Sequence, residues 1–515
     1  GERALGDDAI EYEAHEQFVR VNCLDLATSR VTPISPRAAG QIWEFAPGPG
    51  GKIAAVVSEA PFEWSWYGCR LVAFDGTEDA AVQELASPMK NGQSRQVAPP
   101  QWSPDGSRIA FITSTWSDRG CVAGTLMAVN ADGTGVVELT PGIVASLGWS
   151  VWEPSGESLL SIGHERGGSG LHRVSADGSG TASLWWGQCA VAEGNWPRFS
   201  LAGGTIAVIR EDCAHPRDVW LAEAADPLNW RQATKINPQS ANIDLPPVSF
   251  VEWAGADGWP MQGLYYPPCG ERGAGPPPTL MYVHGGPIGV QTDKYNAAGA
   301  GGPCSIALLQ QAGYAVFSPN YRGSVGWGLA FAEADWEDCG GKDWQDMQAG
   351  LDHLIAEGTV DADQLGVLGW SYGGFTTAWA VSQTDRFKCG IMGAGYGDWP
   401  AFHGKSALCG EPNRWIPGVQ FRDPYSKSPT APTLTQSPLS YTDNITTPTL
   451  ILHGEKDIDV PVDCGYAFFR ALKTAGVPTE LSVYPREPHG VTERAHLVDM
   501  TTKTLAWLDR WLPAE

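Results

Sequence analysis

The chain has 515 residues, enough for two domains with substantial cores. Its 34 lysines and arginines stand against 58 aspartates and glutamates, a formal charge of −24. This excess of acid argues against nucleic acid and anionic membrane surfaces as partners, since both need positive protein surface.

No run of 18 apolar residues occurs, so no membrane-spanning helix is expected. The chain opens Gly1-Glu2-Arg3 with no leader-like apolar core, which fits a removed leader, a trimmed chain or a natural fragment. The eleven cysteines are dispersed, with no Cys-x-x-Cys pair. An odd, scattered set in a large chain predicts buried reduced thiols and, with them, a cytoplasmic setting. Neither His-Glu-x-x-His nor a phosphate-cradling Gly-rich Lys motif is present, so neither a metal nor a cofactor is expected.

Residues 1–245 are rich in tryptophan, glycine and short alternating segments. One unit recurs, best seen as Trp102-Ser103-Pro104-Asp105-Gly106-Ser107-Arg108-Ile109. Weaker copies run Trp152 to Leu159, Phe199 to Ile206 and Phe45 to Ile53, and place Ile53, Ile109, Leu159 and Ile206 at intervals of 56, 50 and 47 residues. A second unit is an alternating strand closing on Asp-Gly, as in Leu126 to Gly133 and Leu171 to Gly178. Asp-Gly between alternating strands is hairpin chemistry, and a repeat near 50 residues is propeller-blade spacing. The expectation is a β-propeller of four to five countable blades, either small or incomplete. A β-sandwich is the alternative that the fixed order of the two units disfavours.

Asn237 to Pro247 is polar and proline-bearing, which places a domain boundary near 245. From residue 246 the pattern changes. A hairpin (Val248 to Trp253, Met261 to Tyr266) leads into apolar strands at Leu280 to Val283, Tyr314 to Ser318, Leu365 to Leu368, Cys389 to Met392 and Thr449 to Leu452. Helical spacing separates some of them, as in Met347, Leu351, Leu354 and Ile355, and ends the chain at Leu505, Trp507, Leu508, Trp511 and Leu512. This alternation predicts a doubly wound, mostly parallel sheet covered on both faces, so that 246–515 is expected to be an α/β-hydrolase catalytic domain.

Within it, Gly369-Trp370-Ser371-Tyr372-Gly373 sits between an apolar strand and an Ala/Thr/Trp helix, the strand–turn–helix context of a nucleophile elbow. Downstream, Leu450-Ile451-Leu452-His453-Gly454-Glu455-Lys456-Asp457 and Leu481 to His489 are strands ending in polar loops. Ser371, Asp457 and His489 therefore follow in the chain order of an α/β-hydrolase triad. His489 would take and return the proton, and Asp457 would hold its tautomer. The amide of Tyr372 faces any developing oxyanion, and the strand ending His284-Gly285-Gly286-Pro287 has the form of the second oxyanion loop. Taken singly, these read as a surface Asp, a loop His and a tight turn; their ordered placement favours the site.

Taken together, His284-Gly285-Gly286-Pro287, Ser318 to Ser324, Gly369 to Phe375, His453 to Asp457 and Pro485 to Gly490 resemble the prolyl oligopeptidase family of serine peptidases, in its acylaminoacyl-peptidase-like branch. The likeness is close over about 246–515 and loose before it. It implies a propeller capping the hydrolase domain, hydrolysis of short peptides or related amides, and the triad already named. It implies that Trp399, in Gly397-Asp398-Trp399, stands near the acyl pocket, with core packing the alternative. It also exposes a departure: the family's Asp-x-Arg-Val-Pro is Asp457-Ile458-Asp459-Val460-Pro461 here. The arginine helps hold a peptide carbonyl, whereas an aspartate reverses the charge and fits a cationic group such as a free α-amine. The alternative for Asp459 is solvent, or a nearby Arg or Lys.

The reading is an aminopeptidase- or dipeptidyl-peptidase-like serine hydrolase acting on short peptides or peptide-like amides through an acyl-enzyme. Its rivals are an esterase or small-molecule amidase on the same triad, and a catalytically silent propeller that binds a protein.

Overall fold

The computed structural model describes residues 17–514 except 91, 92, 115–123, 192–195, 244, 271–274, 296–301 and 410–424. Cys121 and residues 415–424 of the proline-rich insertion at Trp415 to Thr433 lie outside the described residues.

The first half is a succession of antiparallel sheets. After a short hairpin (Asn22–Leu24 with Val31–Pro33), four sheets follow, spanning 41–86, 96–138, 146–187 and 190–232, each in sequence order or nearly so. The repeated motif explains them. Trp102 pairs with Ile109, Trp152 with Leu159 and Leu201 with Ile206 across the first hairpin of their sheets, and Pro47 pairs with Ile53 in the same position. Ile53, Ile109, Leu159 and Ile206 are all buried. The turn chemistry is local. Asp105 accepts hydrogen bonds from the Ser103 hydroxyl and from the Ser107 amide and hydroxyl, which hold its carboxyl down at about 2. Gly106 takes φ +70 there, as the tight turn demands.

The second half is one eight-stranded sheet. Its spatial order is Ser249–Ala254, Pro260–Tyr266, Ala315–Asn320, Thr279–Val283, Leu365–Trp370, Cys389–Gly393, Thr449–Gly454 and Thr479–Tyr484. The first three strands pair antiparallel and the remainder parallel. The parallel strands are buried almost throughout, because helices cover both faces. Lys342–Ala356, Tyr372–Gln383 and Val462–Thr474 pack into one apolar cluster, while Arg494–Trp511 packs with Leu280, Val316, Leu450 and Leu452 in another. Thus each face has its own core.

The cluster on the first face does not stop at the sheet. It runs through Val325 and Phe331 into Leu126, Leu147 and Trp152 of the second and third blades. Polar contacts follow the same seam. The Gly326 amide donates to Ser146 Oγ at 2.8 Å, Gly326 O accepts the Arg166 amide at 2.9 Å, Arg95 pairs with Glu333, and Asp293 Oδ1 accepts the Cys213 amide at 2.8 Å. The blades therefore rest on the loops that flank the glycine turn at 284–287.

Among the described residues no cysteines are bridged, and Cys69, Cys189, Cys304, Cys339, Cys389 and Cys464 are buried. Among the described residues, no helix is long and apolar enough to cross a membrane.

Candidate active site

The strand Leu365–Trp370 delivers Ser371 at the start of the helix Tyr372–Gln383, with φ 61 and ψ −122. That conformation lies outside the left-handed well a side chain tolerates, so a non-glycine residue is strained there. The neighbours are glycine because nothing larger fits. A Cβ on Gly373 would come within 2.1 Å of Val283 O, and one on Gly369 within 2.5 Å of Gly373 O. The Ser371 amide donates to Gly393 O at 3.0 Å, and Phe375 closes the first helical turn onto Ser371 O at 2.9 Å. The amide of Tyr372 thus belongs to the first turn, among the donors that a helix leaves unpaired.

Ser371 faces the glycine turn. A Cβ on Gly285 would lie 3.1 Å from Ser371 Cβ and 3.8 Å from its Oγ, so the backbone of the 284–287 loop passes beside the hydroxyl. The ring of His284 is committed elsewhere. It is buried and stacked on Tyr321 with centroids 4.4 Å apart. Its Nδ1 donates to Gly285 O at 2.8 Å, which leaves Nε2 to accept Ser324 Oγ at 2.9 Å. Burial pushes its pKa down to about 4. What this loop offers toward Ser371 is its backbone, braced by the His284 ring.

The bracing extends outward. Ser324 lies on the loop after Ala315–Asn320, which Arg322 anchors by donating to Asp346 Oδ1 at 2.8 Å and to Asp257 at 2.7 and 3.0 Å. Arg322 and Asp346 are buried, and their planar fork-to-carboxylate geometry satisfies both.

Asp457 and His489 follow the neighbouring strands Thr449–Gly454 and Thr479–Tyr484. His489 Nδ1 lies 2.7 Å from Asp457 Oδ2, and the other carboxylate oxygen accepts the amides of Asp459 at 3.0 Å and Val460 at 2.8 Å. Burial raises the Asp457 pKa, but the bonds from His453 and His489 outweigh it and leave the group below its ordinary value. A carboxylate that stays ionised beside Nδ1 holds the proton there, so that any proton transfer falls to Nε2.

Asp459 lies in the same place. Asp457, Asp459 and His489 each present a donor atom within 4.8 Å of the others. Asp459 is half-buried, which pushes its carboxyl above the usual range against the pull of His489, and no described lysine or arginine pairs with it. A second such group is Glu487, Glu493 and His496. Hydrogen bonds already engage the carboxylates of Asp457 and Glu487, so a metal would have to displace them.

Trp399 is a correction. It does not line a pocket: it is fully buried, packed against Phe375, Tyr396 and Phe402 with ring centroids 5.1, 4.8 and 5.8 Å away. Its Nε1 donates to Gln436 O at 3.0 Å. Four aromatic rings brought together from two helices and the turn that leads into the second close on each other more readily than on solvent. Sequence reasoning passed over Asp343, whose Oδ2 accepts the Tyr372 hydroxyl at 2.6 Å, and Trp370, whose Nε1 donates to His489 O at 2.8 Å. The position of Trp370 inside Gly-x-Ser-x-Gly was the available signal for the second; Asp343 carried none.

Residues 304–515 match the prolyl oligopeptidase family. The uncharacterized peptidase YuxL of Bacillus subtilis is 34% identical over 263 residues, 51% of this chain and 38% of that protein. Dipeptidyl-peptidase 5 of Porphyromonas gingivalis is 25% identical over 421 residues, 80% of this chain and 59% of that protein. The matched part thus spans less than two thirds of either curated relative. An acylaminoacyl peptidase structure from Pyrococcus horikoshii superposes with a TM-score of 0.77 at 20% identity, covering 100% of this chain and 79% of that one. The fold is accordingly a β-propeller followed by an α/β-hydrolase. Residues 304–515, which carry Ser371, Asp457 and His489, are thus the part of this chain that matches the prolyl oligopeptidase family of serine peptidases.

Proposed function

We propose that the protein is a serine peptidase that removes residues from the free N-terminus of short peptides through an acyl-enzyme on Ser371. The observation that carries this reading is the 2.7 Å bond of His489 Nδ1 to an ionised Asp457, on loops beside a serine held at φ 61. Ser371 Oγ attacks the scissile carbonyl while His489 Nε2 takes its proton. The amide of Tyr372 and the backbone at Gly285 receive the oxyanion. Collapse passes the proton from His489 to the leaving amine and leaves an ester on Ser371. Water, deprotonated by the same imidazole, then releases the acid and restores the hydroxyl.

Asp459 supports the free-amine end of the proposal. Its half-buried carboxylate stands beside the dyad without a described cation, and an ammonium group there would gain a charge-assisted bond. The 80% of this chain that aligns with a dipeptidyl-peptidase points the same way. The seam between blades and hydrolase loops favours peptides over folded proteins.

The test compares peptide anilides that differ only in a free or acetylated α-amine, read by kcat/KM. The free-amine substrates should be preferred. Asp459→Asn should reduce that preference about tenfold, the scale of a close charge pair, and Asp459→Arg should reverse it. A ratio unmoved by both changes removes Asp459 from substrate reading, and matched esters turned over while every anilide is refused would make the protein an esterase.

A further inference from the structure

The loop that carries His489 is held by two groups to which the triad assigns no role. The first is Trp370, the residue before the nucleophile. Its indole Nε1 donates to the His489 carbonyl at 2.8 Å, and the two rings lie 6.5 Å apart. The indole fits there because its partner across the sheet is Gly393, where a Cβ would fall 2.2 Å from Trp370 Cε3. A single side chain therefore ties the backbone of the base to the strand that presents the nucleophile, across 119 residues of sequence.

The second is Glu487, two residues before the base and buried. Its Oε2 accepts the Thr492 amide at 2.9 Å and hydroxyl at 3.1 Å; its Oε1 accepts the Glu493 amide at 2.9 Å and lies 2.7 Å from His496 Nδ1. These bonds close residues 487–493 into a ring around His489 and fasten it to the helix Arg494–Trp511. Burial alone would raise the Glu487 carboxyl, yet its donors bring it down to about 2, so it stays a carboxylate wherever the enzyme works. Its backbone oxygen accepts the Lys456 amide at 2.9 Å, and Gly454 has no room for a Cβ because Pro488 O would lie 2.3 Å away. The Asp457 loop and the His489 loop are thereby stitched together.

We infer that Trp370 and Glu487 are positioning residues for His489, which set the approach of its Nε2 to Ser371 while touching neither substrate nor reacting atoms. The inference rests on the triad reading above. An imidazole has one reactive nitrogen and a strict line of proton transfer, so a shift of about 1 Å in its backbone can cost up to a hundredfold in rate. Substrate binding draws on other groups and should be spared.

The test is steady-state kinetics on a peptide anilide, with the rate of fluorophosphonate reaction at Ser371 as a second readout. Trp370→Phe keeps an aromatic ring but removes the N–H together with the five-membered ring that carries it; Glu487→Gln keeps the shape and replaces one acceptor oxygen by an amide donor. Each should lower kcat about tenfold to a hundredfold with KM within about twofold. In a His489→Ala background Trp370→Phe should change the labelling rate no further, because a residue that acts through the base has nothing left to position. The inference is overturned if both single variants keep the wild-type kcat, or if Trp370→Phe slows the His489→Ala protein by the same factor as the wild type. Wild-type labelling in His489→Ala overturns the triad and this inference together, whereas slow labelling there with fully active Trp370→Phe and Glu487→Gln overturns this inference alone.

Discussion

Replacing Ser371 by glycine should make the protein more stable than replacing it by alanine. Ser371 sits at φ 61 and ψ −122, where any side chain carries strain of about 1–3 kcal/mol. Ser371→Ala removes the hydroxyl and keeps the Cβ, so it keeps the strain. Ser371→Gly removes both. Against the relief stands the extra freedom of glycine in the unfolded chain, about 0.4–1 kcal/mol. The balance favours Ser371→Gly over Ser371→Ala by roughly 1 kcal/mol, or about 2–4 °C for a domain of this size. Both variants lack the hydroxyl that the proposed acylation requires, so the comparison should be free of substrate effects. Denaturant titration followed by tryptophan fluorescence, with calorimetry for the melting temperature, reads the difference. If Ser371→Gly unfolds before Ser371→Ala, the strained elbow is not where this geometry puts it.

Other consequences are independent of that one. Arg322→Ala leaves Asp346 buried and unpaired and should cost about 3–5 kcal/mol by denaturant titration, with Arg322→Lys failing to restore it because the fork is lost. Trp399→Ala should cost about 3–5 kcal/mol of stability while leaving KM of the folded enzyme unmoved, since the ring fills a core and lines no pocket. Burial holds His284 neutral down to about 4, below its unfolded value near 6.5, so its contribution is present above pH 6.5 and lost as pH falls toward 4, on the order of 3 kcal/mol. His284→Gln should flatten that limb in pH-dependent melts. Asp343 has the opposite sign: burial raises it to about 7, the Tyr372 hydroxyl only partly offsetting this, so it erodes stability as pH climbs from about 4 to 7. Asp343→Asn should gain on the wild type over that range, and a gain at low pH instead would refute the assignment.

The sequence made some of this legible because local chemistry carried it. Asp-Gly turns and a repeat near 50 residues pointed to blades, since a hairpin needs its turn residues wherever it lies, and Ile53, Ile109, Leu159 and Ile206 do occupy one equivalent buried position. Apolar runs closed by polar loops identified the parallel strands, short by a residue or two at their ends: Leu365 to Leu368 extends to Trp370, and Thr449 to Leu452 to Gly454. The direction of a side chain was not legible. Trp399 read as a pocket wall or, more commonly for a tryptophan, as core, because only the packing of Phe375, Tyr396 and Phe402 around it decides. His284 stood in the right loop, yet Ser324 and Tyr321 turn its ring inward through contacts made 40 and 37 residues away. The bond from Trp370 to His489 joins residues 119 apart and has no local signature.

The most direct test of the central claim is peptide mapping by mass spectrometry after reaction of the intact protein with a fluorophosphonate. The account predicts one adduct, on Ser371, formed slowly in His489→Ala and Asp457→Ala and not at all in Ser371→Ala. An unmodified protein, or an adduct that persists on another residue when Ser371 is alanine, would contradict it.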